Sequence, residues 1–260
     1  MTILNEFTNK CRKNIFLNEE CSKDALAYLI QARLLDEYTI KRFQIGYCFP
    51  DAYVEQGVRQ YGGTIDKDYS YFLKNKIIVP IYEEFGKDVV GIGTRSPVVE
   101  KSSWWNSPYP FQKGLHLFNL NKARKYMFNL NKAYIVEGYM DAITLYQAGI
   151  KNVVAVMGTK LTLRHIGLLS RYCENFCFCF DVDENSSGQN ARDNSIVATN
   201  RLGVCKKMTK IDSIPKGEDP ASFVSKFGKK SFLDLEESIP PKQLAEIIQR
   251  VQKGKRNGRK

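Results

Sequence analysis

The sequence predicts an α/β protein, with a mixed α/β N-terminal subdomain, a parallel-sheet subdomain of strand–helix repeats, and a short helical C-terminal tail. Three observations carry this. From Lys132 onward, short apolar runs alternate with helix-length amphipathic segments. Before it, two β-branched runs flank a glycine, as in a hairpin. After Phe227, a Pro-Pro pair opens a stretch with apolar residues at helical spacing. The expected boundaries are 1–130, 131–227 and 228–260.

In chain order, Ser22 is expected to cap a helix reaching Arg33, and Asp36 a second one ending near Phe43. Ile77 to Tyr82 and Val89 to Thr94 read as a hairpin about Gly86. Strands follow near Tyr134, at Val153 to Val156, Phe176 to Phe180 and Val204 to Met208. Between them lie helices at Asp141 to Ala148, Thr162 to Tyr172 and Gln189 to Leu202. Such βαβ units cross over right-handedly and give a parallel sheet covered on both faces. Beyond Pro240-Pro241, the stripe of Leu244, Ile247, Ile248 and Val251 is expected to pack on the body, since amphipathic stripes ordinarily face a core. Lys253, Lys255, Arg256, Arg259 and Lys260 read as a mobile basic tail touching phosphates nonspecifically.

Carboxylates recur at the ends of these strands. Ala133-Tyr134-Ile135-Val136 runs into Glu137-Gly138, and Phe176 to Phe180 runs into Asp181-Val182-Asp183. In an extended backbone residues i and i+2 face the same way, so Asp181 and Asp183 point together. If both strands share one parallel sheet, Glu137, Asp181 and Asp183 meet at its carboxyl edge, where open α/β sheets bind ligands. An isolated Asp-x-Asp is ordinarily a solvated loop or a helix cap. Recurrence at successive strand ends makes it a cage, because crowded carboxylates need a hard cation between them, and Mg²⁺ takes few carboxylates plus water and phosphate. Metal-assisted phosphoryl transfer is the expected chemistry.

Composition points the same way. The chain has 260 residues, 43% hydrophobic, with a net charge of +11, so it can bury a sizeable core and favours an anionic partner such as nucleic acid. A generally lysine-rich proteome would give the same charge without such a partner. No apolar run reaches the roughly 18 residues that suggest a membrane span, and no secretory signal is visible, so a cytoplasmic protein without membrane partners is expected. The seven cysteines contain no C-x-x-C pair, so no zinc is expected. Cys177 and Cys179, in an aromatic strand, read as buried core thiols.

From Lys132 to Phe227 the chain resembles the Toprim domain, a Rossmann-like parallel sheet, of bacterial-type (DnaG-like) DNA primases. The likeness rests on Val136-Glu137-Gly138-Tyr139-Met140-Asp141, Gly158-Thr159, Asp181-Val182-Asp183 and Gly217-Glu218-Asp219-Pro220, in family order. Upstream, Ala25 to Leu29, Leu35 to Phe43, Ile45-Gly46-Tyr47, Ile77 to Ile81, Gly91 to Arg95 and Asn106-Ser107-Pro108 resemble the same family's RNA polymerase domain. The resemblance implies an enzyme that makes short RNA primers on single-stranded DNA from ribonucleoside triphosphates, during DNA replication. It makes Glu137, Asp181 and Asp183 the catalytic and metal-holding acids, for Mg²⁺ with Mn²⁺ able to substitute. Asp141 and Asp219 rank second as metal residues. Arg42, Lys74, Lys76, Arg95, Asn106 and Lys113 fall on family positions for nucleotide and DNA, with Lys101 standing in where the family lysine falls on Ser103. Any one of these cations can instead be a solvated surface group, Lys74 and Lys76 above all. Trp104 and Trp105 can stack template bases, though aromatics beside a proline turn are more often core or lid.

The family's N-terminal zinc-binding module and C-terminal helicase-binding domain find no counterpart in the sequence. A replicative helicase or a separate template-recognition protein is therefore an expected partner, and a phage or mobile-element origin suits the minimal form. Other departures are Phe72 for an arginine, Val182 for a glycine, and Ala221 for a peripheral carboxylate. None touches the three primary acids. Two other classes stay open: a Toprim nuclease, which would use the same acids to cleave a phosphodiester, and a non-catalytic single-stranded-DNA-binding replication factor.

Overall fold

The apolar runs pair as two separate sheets, each inside its own compact unit. In the computed structural model the units are Met1–Gln112 and Lys113–Lys260, and residues 2–17, 19–49, 73–98, 104–106, 111–158, 161–181, 187–215 and 217–257 are described.

In the first unit an antiparallel sheet runs in the order β1 (Gly46–Cys48), β2 (Lys76–Tyr82), β3 (Val89–Arg95), β4 (Trp105–Asn106). The expected β2–β3 hairpin forms, and Gly86 takes the positive φ of 82° that its turn requires. The Ile3–Asn14 helix, capped by Thr2, packs Leu4, Phe7 and Cys11 on one face of the sheet with Ile78 and Ile92. Gly46 makes the close approach feasible: a Cβ there would lie 2.4 Å from the Cys11 carbonyl carbon. Trp105 is partly buried against this same cluster, so it acts as core.

Asp36 caps the Glu37–Phe43 helix as expected, its Oδ1 accepting from Thr39 N at 2.6 Å. Ser22 does not cap. The helix begins at Glu20, and Ser22 lies inside the first turn, where its hydroxyl donates back to the Glu19 carbonyl at 2.9 Å. The helix ends at Ala27 and passes into a π turn, Tyr28–Ala32, in place of continuing as α-helix to Arg33.

The second unit holds a five-stranded sheet in the order β6 (Val153–Ala155), β5 (Lys132–Val136), β7 (Asn175–Cys179), β8 (Lys207–Lys210), β9 (Glu237–Ser238). The first four strands are parallel. β9 is an antiparallel edge strand that the sequence reading did not contain. Helices Leu120–Leu130, Tyr139–Gln147, Leu163–Leu169, Ser187–Leu202, Pro220–Asp234 and Pro241–Asn257 complete this unit among the described residues. β8 lies later than the expected Val204 to Met208, because Val204 and Cys205 belong to the approach, where Lys206 N donates to the Glu174 carbonyl at 2.7 Å.

The division of the chain also differs from the expected one. The Leu120–Leu130 helix belongs to the second unit, since Ala123 and Met127 are fully buried with Ala133 and Ile135 in one core. The tail belongs there too. Ile247 and Val251 of the Pro241–Asn257 helix enter that core, and Arg250 pairs with Asp193 at 2.9 Å. Among the described residues no helix is long and apolar enough to cross a membrane.

Candidate metal and nucleotide site

Strand register brings the first acids together. β5 and β7 are parallel neighbours with Val136 opposite Cys179, so both chains leave the sheet at the same level. Glu137 is the first residue beyond β5, and Asp181 is the second beyond β7. The Asp181 backbone N–H donates to Glu137 Oε1 at 3.2 Å, which ties one strand-end acid to the other. The Glu137 carbonyl accepts from Gly158 N at 3.1 Å. Gly158 itself has a φ of +79° with open space around its Cβ position, so conformation and not crowding calls for glycine.

Gly138 has the opposite reason. A Cβ on it would come within 2.8 Å of Asp141 Oδ2, which accepts from Gly138 N at 3.1 Å. The Glu-Gly pair thus combines a strand-end acid with room for a second carboxylate folded back over the turn. Asp141 is buried, and it is held well above the usual carboxylate range by that burial, then by repulsion from Asp181 and Asp219. Backbone hydrogen bonds from Gly138 and Ala221 oppose the shift. Ala221, where the family carries a further acid, is therefore present at the cluster through its main chain.

Asp219 caps the Pro220–Asp234 helix: its Oδ1 accepts from Ser222 N at 2.6 Å, and Ser222 Oγ accepts from Asp219 N at 2.9 Å. Glu137, Asp141, Asp181 and Asp219 are thus one acidic group at the carboxyl edge. Asp183 lies outside the described residues, and among those described no three His, Cys, Asp or Glu side chains close around a metal position. The donor set nonetheless fits a hard cation, because a buried carboxylate crowded by Asp181 and Asp219 is what positive charge at this edge relieves.

The basic residues divide between faces. Arg95 ends β3 opposite Ile77, and Asn106 of β4 pairs with Gly93, so period-two alternation puts Arg95 and Asn106 on one face. Lys76, next to Ile77 on β2, lies on the other face, and half-buried Lys74 precedes Asn75, whose φ of 55° turns the chain. Arg42 is exposed on the Glu37–Phe43 helix, and Lys113 opens a short 3-10 turn in the second unit. Lys101 lies outside the described residues.

Around Arg95 the structure adds two residues that sequence reasoning missed. Its guanidinium lies 5.5 Å from the centre of the Tyr28 ring, and Arg33 lies 5.4 Å from the same ring, with its Nε donating to the Tyr28 hydroxyl at 2.7 Å. Burial lowers the Arg95 pKa, and repulsion by Arg33 lowers it further, against a favourable Tyr28 contribution. Arg95 Nε is buried with no hydrogen-bond partner among the described residues. Two guanidiniums on one ring form an anion-seeking group. The signal was hidden because Tyr28 and Arg33 are five residues apart, a spacing that meets only through the π turn.

The comparisons agree with this geometry. Residues 12–124 match the family described as DNA primase catalytic core, N-terminal domain, and residues 134–224 match a Toprim-like family. The DNA primase of Clostridium acetobutylicum is 33% identical over 238 residues, covering 86% of this chain and 39% of that protein. The chain thus spans about two fifths of the length of this curated relative. A solved DnaG catalytic core superposes with a TM-score of 0.78 at 26% identity, over 91% of this chain and 80% of that one. A DnaG primase catalytic domain bound to single-stranded DNA gives 0.73 at 26% identity, over 90% and 78%. The Toprim primase fold is one that uses divalent metal. The chain belongs to the DnaG-like DNA primase family, as a catalytic core with its N-terminal domain and its Toprim domain.

Proposed function

We propose that this chain synthesises short RNA primers on single-stranded DNA by metal-dependent nucleotidyl transfer, in the cytoplasm. The observation that carries the reading is the carboxyl edge itself, where Glu137 and Asp181 touch and Asp141 is pushed toward its protonated form by Asp181 and Asp219. Glu137, Asp181 and Asp183 would hold Mg²⁺, with Mn²⁺ able to replace it. A bound ion supplies charge neutralisation to the entering phosphate and the departing pyrophosphate.

The chain's own residues do the rest. Glu137 receives the proton of the primer 3′-hydroxyl as that oxygen bonds to the α-phosphorus and the bond to pyrophosphate breaks. Asp141, pushed toward its protonated form by burial and by Asp181 and Asp219, tunes the charge of the edge beside the primary acids. Arg95, with Arg33 and Tyr28 beside it, takes phosphate oxygens through a planar fork, and Lys74, Lys76, Lys101, Lys113, Arg42 and Asn106 guide template and nucleotide. A replicative helicase or a template-recognition protein acts alongside.

The test is incubation of the chain with random-sequence single-stranded DNA, labelled ribonucleotides, and Mg²⁺ or Mn²⁺. Short RNA products are expected. Shortened template without RNA product would mean a nuclease, and binding with neither would mean a non-catalytic DNA-binding factor.

A further inference from the structure

The Lys113–Leu115 turn is held by the helix that begins after Thr162. Thr162 Oγ1 donates to the Gly114 carbonyl at 2.7 Å, and His165 Nε2 lies 3.0 Å from the Lys113 carbonyl. The other ring nitrogen, Nδ1, lies 3.3 Å from Thr162 N, which can only donate. Nδ1 is therefore the acceptor, and Nε2 carries the proton it gives to Lys113. His165 is fully buried, so neither nitrogen has water as an alternative. The turn has one long hydrogen bond of its own, from His116 N to the Lys113 carbonyl at 3.3 Å, and these two side chains add to it.

We propose that His165 is a positioning residue: its neutral ring clamps the Lys113 carbonyl and so sets where the Lys113 ammonium meets a phosphate of template or nucleotide. The inference rests on the reading of Lys113 as a phosphate contact. A lysine ammonium rides on a flexible four-carbon stem, so the fold controls it chiefly through the backbone from which it springs.

The clamp has a pH dependence of defined sign. Burial lowers the His165 pKa from 6.5; backbone contacts with Lys113 and His116 oppose this, and the His116 charge adds to it. Among the described residues the titratable group whose charge bears on the ring is His116, while Lys113 acts on it through its backbone carbonyl. Protonation would place a second N–H against Thr162 N–H. The unfolded chain takes up this proton first, so the clamp is complete above 6.5 and is lost as pH falls through the lower native value.

The experiment measures Kd for labelled single-stranded DNA, primer yield and Tm of the full chain between roughly pH 5 and pH 8. It compares wild type, H165Q, H165A, K113A and H165A/K113A. H165A is expected to weaken binding by about tenfold, the size of one buried hydrogen bond with its desolvation cost. H165Q offers an amide N–H to the Lys113 carbonyl and does not titrate, so it should keep most of the binding and lose the acid limb. The double variant should bind no more weakly than K113A, because the effect passes through Lys113. Wild-type binding by H165A, additivity in the double variant, or an unchanged acid limb in H165Q each overturns the inference. A defective K113A beside a normal H165A overturns it alone, whereas a normal K113A removes Lys113 from the phosphate site and the premise with it. Should H165A not fold, the H165Q profile decides.

Discussion

Two polar clusters sit on the same parallel sheet and treat charge in opposite ways. Lys132 and Tyr134, two apart on β5, share a face on which Glu236 accepts from both the Lys132 ammonium and the Tyr134 hydroxyl, the latter at 2.9 Å. The cluster is an acid matched by a base. At the carboxyl edge, by contrast, Glu137, Asp141 and Asp219 are held by backbone N–H groups of Asp181, Gly138 and Ser222, and their neighbours push Asp141 toward protonation. Backbone donors fix where a carboxylate points without removing its net charge. Balanced charge suits a structural cluster, and crowded carboxylates held by main-chain donors suit a ligand site, which makes the carboxyl edge the candidate.

The widest break between the two clusters should appear on synthesis. Asp181→Asn or Glu137→Gln removes charge but hardly any volume, and is expected to lower primer yield by roughly a hundredfold or more, on the scale of a lost metal or electrostatic contact. Circular dichroism and Tm should stay near wild type. Primer yield close to wild type at matched Mg²⁺, for either variant, would sink the assignment of these acids.

Gly138→Ala probes how tightly the edge is built. The new Cβ would meet Asp141 Oδ2 at 2.8 Å, and Asp141 is pinned to backbone on two sides, so it cannot swing away freely. Overpacking of this kind costs about 1–3 kcal/mol. A fall in Tm together with a loss of synthesis is expected; a variant with unchanged Tm would show that the Asp141 carboxyl moves easily and does not need the glycine.

Why some of this was legible in the sequence follows from where the signals lie. Glu137 and Asp181 end apolar runs, so their meeting needed only that the two strands be neighbours. Asp219 was readable as a chemical group, and the Asp219-Pro220-Ala221-Ser222 order carries a capping box with proline at the first helical position. The split of the cations was not readable, because Lys76 and Arg95 part company only once the β2–β3 register is known. β9 was invisible for a different reason: Glu237 and Ser238 are two exposed polar residues with no apolar alternation, paired by the sheet edge and not by propensity. The Leu120–Leu130 helix shows its apolar stripe in sequence, but a stripe does not say which of two sheets covers it.

The balanced cluster gives the next effect. Burial raises the Glu236 pKa, but hydrogen bonds from Lys132, Thr209 and Tyr134 and the Lys132 charge outweigh it, and the net result is a pKa below 4.5. A depressed carboxylate contributes stability in full above its unfolded value, and that stability is lost as pH falls from about 4.5 through the native value. Glu236→Gln should cost about 1–2 kcal/mol at neutral pH, flatten this acid limb, and leave primer synthesis per folded molecule unchanged. Urea titrations at pH 7 and pH 4 check it. A variant that lost synthesis while keeping its fold would mean the two clusters are coupled.

The smallest effect should come from Asp219, the residue that stands between the two roles. As a cap it accepts from Ser222 N, and asparagine caps a helix about as well as aspartate, so Asp219→Asn should change stability by no more than about 0.5 kcal/mol while Asp219→Ala costs about 1 kcal/mol. As an acid it adds to the repulsion on Asp141, and losing that charge should leave the edge less negative. If capping is its main task, Asp219→Asn keeps primer yield within about tenfold of wild type and needs somewhat more Mg²⁺ to reach it. The measurement is a metal titration of synthesis for both variants beside their melting curves. Loss of synthesis in Asp219→Asn as deep as in Asp181→Asn would move Asp219 from helix cap to primary ligand, and the acidic edge would then hold its ion through the helix start as well as through the strand ends.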